Sequence, residues 1–254
     1  MTLQNFRSHP WFVWRPSADT GVAFVTAVLW IGAYYLLTHT GGTIFSTAYY
    51  TAALLACVIF PLWWVCRYRA RPISEIGITL LRWKESLIIS IIVGIPFLWL
   101  TITQYGARYG DALIPHLLVN ALMLWEPFFV FCWLELEFGR SFGIIPGIVL
   151  AGACFGAYHL GTYPLSGVMI LAVYGMVFGA IFRLTDNLLS MWPVAWAASS
   201  AKGTLAGGML FTWGDAGINA VIVLVQLAVI AWIWRGEQRA ETVVTDGGGV
   251  RRIW

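Results

Sequence analysis

Charge is what this 254-residue chain has least of. Asp, Glu, Lys and Arg make up 11% of it, against about 25% in an ordinary soluble domain. That shortage excludes a water-soluble globular fold. Short alternating segments are also missing, which excludes a transmembrane β-barrel. The four cysteines, Cys57, Cys66, Cys132 and Cys154, form no C-x-x-C pair and sit in or beside apolar runs. They read as small packing residues rather than a disulfide frame or zinc cluster. No internal repeat is visible, so an inverted-repeat transporter has little support. The first twenty residues lack a cleavable signal pattern, so the first membrane helix is expected to be retained.

What the chain does have is apolar length. Hydrophobic residues make up 59% and the mean hydropathy is +0.77. Eight runs approach the roughly 20 residues that cross a bilayer: 21–38, 47–66, 86–104, 113–134, 144–160, 165–184, 187–210 and 216–234. The fold class is therefore all-α, a polytopic membrane bundle of eight helices. A cytoplasmic segment 1–20 precedes the membrane domain 21–235, and a polar tail 236–254 follows. The seventh run is interrupted by Pro193 and by the small, polar stretch 197–203. Broken backbone at membrane depth is tolerated where it is buried or lines a cavity, so this interruption points toward a site.

With eight spans, one side receives Arg7, Arg15, Arg67, Arg69, Arg71, Arg82, Lys84, Arg140, Arg183, Arg235, Arg239, Arg251 and Arg252. The other receives only Arg108 and Lys202. Basic loops stay cytoplasmic, so both termini are expected there, in an inner or plasma membrane. The same rule accounts for most of the +3 net charge without a nucleic-acid partner.

Two polar residues stand out. Glu126 lies inside the apolar run 122–134, where a carboxylate costs roughly 2.5–3.5 kcal/mol and usually faces a partner or a polar cavity. His159 ends a second run. Together they suit water activation, proton handling or metal binding. His116 lies ten residues before Glu126, about 15 Å along a helix, too far to join them.

The stretch Phe155-Gly-Ala-Tyr-His159 resembles the F-x-x-x-H motif of the CPBP intramembrane proteases, which include CAAX-processing and bacteriocin-related enzymes. Pro72-Ile-Ser-Glu-Ile-Gly77 and the approach from Phe182 to Pro193 are similar as well, so the resemblance spans about residues 70–205. Glu126, 33 residues before His159, fits the first motif better than Glu135, 24 before it. The resemblance implies Glu126 as general base and His159 as water or zinc partner. It also marks four replacements. Pro127 stands for a second glutamate, Phe131 for an arginine, Trp196 for a second histidine and Ser200 for an asparagine. Oxyanion support would have to come from Ser199, Ser200, Trp196 or nearby backbone. Three functions remain open: an intramembrane endopeptidase acting on a membrane protein or hydrophobic peptide; an inactive relative that serves as scaffold or assembly subunit of a membrane complex, or binds a hydrophobic ligand; and a proton-coupled transporter using Glu126 and His159. Lipid contact is common to all three. The cluster Glu135, Glu137 and Arg140 reads as interfacial, Asn187 as a helix cap, and Trp125, Phe128, Phe129 and Trp133 as packing or lipid contact.

Overall fold

The computed structural model describes residues 10–39 and 42–245, with side chains described outside 42–47 and 240–245. Arg7, Arg251 and Arg252 lie outside the described residues. Among those described there is no strand, only one isolated bridge between Leu160 and Tyr163.

Helix α1 is Ala18–Thr38. Its start is fixed by a capping box: Ser17 Oγ accepts from Thr20 N while Thr20 Oγ1 accepts from Ser17 N at 2.8 Å. Helix α2, Gly42–Leu54, continues through π-helical turns Leu55–Ile59 and Trp63–Tyr68. A single 3₁₀ turn, Ile73–Ile76, is the only regular structure in the basic connection to α3, Trp83–Tyr109. Next come α4, Leu113–Leu122, then a wide π-turned segment Phe128–Glu135 that runs into α5, Leu136–Phe142. Four further helices complete the bundle: α6, Ile144–Ala157; α7, Leu165–Phe182; α8, Ala195–Ala206; and α9, Trp213–Thr245.

Among the described residues five segments are long and apolar enough to cross a membrane, and α6 is a shorter apolar helix. One of the five, Trp83–Phe142, has 60 residues. Straight, it would extend about 90 Å, three times the roughly 30 Å hydrocarbon core; the turn at Gly110–Ala112 divides it. Leu29, Ile92, Trp99, Val173 and Leu224 point outward from four helices, as lipid-facing residues do. The chain is an all-α integral membrane protein.

The break in the seventh run is narrower than its composition suggests. It falls at residues 191–194, around Pro193, and the small, polar stretch 197–203 is continuous helix inside α8. Alanine has the best helix propensity, and small residues let backbones approach closely. Here a Cβ on Gly94 of α3 would lie 2.7 Å from Val194 Cγ1. The same device joins α6 to α7: a Cβ on Gly175 would lie 2.9 Å from Gly152 Cα.

One end of the bundle is closed by ion pairs. Asp19 of α1 meets Arg69 at 2.6 Å, and Arg71 meets Glu137 of α5 at 3.0 Å. Arg140 bonds to Glu137 and to the Glu75 carbonyl. Ile73 N donates to Glu237 Oε1 of α9 at 2.8 Å. The expected interfacial cluster is thus sunk into the protein: Glu137 is 2% exposed and Glu135 is fully buried. Glu135 faces Arg183 at 3.9 Å. Arg183 also holds Asp186 at 2.9 Å. Asn187 does cap the following 3₁₀ turn, accepting from Leu189 N at 3.0 Å. Trp125, Phe128, Phe129 and Trp133 are all buried, so they pack the interior and do not meet lipid. Helix α9 carries on past Gly236, where the polar tail was expected to begin, to Thr245.

Candidate functional site

Glu126 opens the segment that becomes the π-turned stretch. Met123 leaves helical geometry just before it, and Pro127 supplies no N–H. The carboxylate is 6% exposed. Tyr158 Oη donates to Oε1 at 2.6 Å, and Trp196 Nε1 donates to Oε2 at 2.8 Å. Each oxygen keeps a further lone pair. Hydrogen bonds to a charged group contribute about 1.5–3 kcal/mol each, so two offset much of the cost of placing Glu126 in the bundle.

His159 follows the C-terminus of α6. Its Nδ1 lies 2.8 Å from the Phe155 carbonyl. A carbonyl only accepts, so Nδ1 carries the hydrogen and Nε2 of the neutral ring holds the lone pair. Glu126 and His159 do not bond to each other. Tyr158 comes between them, stacked on the imidazole with ring centroids 4.4 Å apart. The polar partners of Glu126 are therefore an aromatic hydroxyl and an indole.

Both residues line one cavity of about 680 Å³, within the 300–1,000 Å³ usual for ligand sites. Ser199, Ser200, Tyr163 and Lys202 also line it. Ser199 Oγ donates to the Trp196 carbonyl at 2.9 Å, which leaves its oxygen able to accept. Of the four replaced motif positions, Ser200 and Trp196 reach the cavity, while Phe131 and Pro127 are buried beside it. Phe131 packs edge-on against Trp196 at 5.2 Å, and Phe155 does so at 5.1 Å. Two lost polar positions have thus become one aromatic contact.

His116 stays out of the cavity chemistry. Its Nε2 lies 3.0 Å from the Ala201 carbonyl, and its Nδ1 accepts from Phe211 N at 3.2 Å. It fastens α4 to α8 and to the connection into α9. The sequence did not mark Tyr158 as a partner of Glu126. Its place one residue before His159, where the helix ends, was the available sign.

The geometry defines a membrane-embedded helical bundle with a carboxylate and an imidazole on one internal cavity. Residues 112–200 match the family described as type II CAAX prenyl endopeptidase, Rce1-like. That segment holds Glu126, His159 and all four replaced positions, so the resemblance to CPBP proteases is established there. No curated protein and no solved structure matches the chain.

Proposed function

We propose that the chain is a CPBP-type intramembrane endopeptidase in which Glu126 and His159 activate a water against a peptide bond of a hydrophobic substrate. The observation that carries this is the shared cavity: both motif residues reach it, within the segment that matches the family. The eight-crossing topology with both termini cytoplasmic belongs to the same proposal.

Glu126 accepts a proton from the water through a lone pair left free by Tyr158 and Trp196. His159 Nε2 accepts the water's second hydrogen bond and aims its oxygen. The oxygen adds to the carbonyl carbon, the carbonyl oxygen gains charge, and the Ser200 hydroxyl, which unlike that of Ser199 is not given to the Trp196 carbonyl, supports that charge. Collapse breaks the C–N bond, and the proton held by Glu126 passes to the leaving amine. Zinc plays no part in these steps, because the donor set does not fit it. Catalytic zinc takes three protein ligands, and among the described residues no three His, Cys, Asp or Glu groups gather.

A second reading is favoured by Trp196. Its indole fills the place of a motif histidine and bonds to Glu126 Oε2, which suits a retired site kept for binding a membrane partner or hydrophobic ligand. Cleavage of hydrophobic peptides by the purified protein, beside Glu126→Gln and His159→Ala, separates the two. Cleavage lost in both variants supports the endopeptidase. No cleavage by the unsubstituted chain, with the variants equally folded, supports the binding role.

A further inference from the structure

The cavity has a direction. At one end its lining takes in Tyr163 and Pro164 between α6 and α7, Gly167 in the first turn of α7, Lys202 in the last turns of α8, Gly207 just after it, and Asp215 in the first turn of α9, and these residues form its rim. These are the C-terminal end of α6, the N-terminal end of α7, the C-terminal end of α8 and the N-terminal end of α9. Arg140 precedes α6, Arg183 follows α7, and Arg235 lies far along α9. The 18 residues of α7 put about 27 Å between rim and basic end, close to the thickness of the hydrocarbon core.

The charges at the two ends differ in kind. Arg67, Arg69, Arg71, Arg82, Arg140 and Arg183 gather at one. At the other end Lys202 and Asp215 line the cavity, and Arg108 and Asp111 sit at the turn between α3 and α4, two cations in all. Basic ends are retained in the cytoplasm. We infer that the cavity opens on the opposite, outer side of the membrane and takes a polypeptide segment presented there, not a chain end arriving from the cytoplasm.

The occupant's class follows from the wall, and this step rests on the proposed endopeptidase. Tyr163 and Ser200 place hydroxyls among the apolar residues Phe97, Leu171 and Phe178. An extended peptide offers N–H and C=O groups to those hydroxyls, whereas an acyl chain would leave them unpaired at a desolvation cost.

Sidedness is tested with single cysteines in intact bacterial cells, using a membrane-impermeant maleimide and the unsubstituted chain as background. Ala206, exposed on the rim, becomes Ala206→Cys. Ser74, exposed at the basic end, becomes Ser74→Cys. The expected result is labelling of Ala206→Cys in intact cells and of Ser74→Cys only after disruption, with loss of Ala206→Cys labelling when an eight-residue Leu/Ala peptide amide is added outside. The reverse pattern overturns the outward opening. Labelling unchanged by the peptide overturns the polypeptide occupant and leaves lipid. The same measurement in a Glu126→Gln background involves no cleavage. Protection there beside an inactive unsubstituted enzyme would sink the endopeptidase reading while the outward cavity stands.

Discussion

The indole of Trp196 sits 2.8 Å from Glu126 Oε2, so the residue standing where the resemblance expects a histidine holds the motif glutamate in place. An imidazole there could donate, accept or carry charge; an indole only donates. The carboxylate gains a fixed partner and the cavity loses a base. Trp196→Phe keeps most of the packing against Phe131 and Phe155 but leaves Oε2 without its donor. The expected loss is about 1–3 kcal/mol, the cost of an unsatisfied buried group, read as a lower Tm in detergent. An unchanged Tm would mean that water replaces the indole freely.

Tyr158→Phe separates holding from stacking. The ring stays on His159, and the bond to Glu126 Oε1 is lost. A stability loss of about 1–3 kcal/mol is expected. If the enzyme cleaves peptides, kcat should fall with little change in KM, because Tyr158 positions the base and does not touch substrate. A rise in KM alone would contradict that role.

Arg183→Met tests the buried charges. Glu135 is fully buried, with Arg183 its ion-pair partner at 3.9 Å. Removing one partner of such a pair costs about 3–5 kcal/mol. The double variant with Glu135→Leu should recover much of that loss, since the fully buried carboxylate goes with its partner; the remainder reports the bond from Arg183 to Asp186. Equal unfolding midpoints for the single and double variants would show that the two residues are not coupled.

Gly175→Leu should separate α6 from α7. Even a methyl group at position 175 would meet Gly152 Cα at 2.9 Å and Phe155 Cδ1 at 3.0 Å. Overpacking of this kind costs about 1–3 kcal/mol or more. Because α6 carries Phe155 and His159, peptide cleavage should fall together with Tm. Activity that survives at full level would show that the seam does not set the position of His159.

Much of this architecture can be read from the residues alone. Glu126 announces itself because a carboxylate in an apolar run needs a reason, and Pro193 falls at a real break, whereas Pro96 sits inside the continuous helix α3. Other features depend on contacts that no local pattern encodes. Residues 197–203 look like an interruption because serine and lysine are polar, yet their helix propensity is adequate and their small side chains pack against neighbouring helices. Glu137 looks interfacial until Arg71, 66 residues earlier in the chain, is found beside it. Tyr158 is one aromatic among many, and only the chain's return from α4 to the end of α6 makes it the partner of Glu126.

The bond from Ile73 N to Glu237 Oε1 spans 164 residues. A nascent chain can bring α1, the basic connection and α5 together well before α9 has been made. The ion pairs among Asp19, Arg69, Arg71, Glu137 and Arg140 need nothing beyond α5. The bond that ties α9 to them waits until synthesis reaches Glu237, and until then the amide of Ile73 lacks this carboxylate. Assembly therefore has a last step that a truncation ahead of Glu237 would withhold.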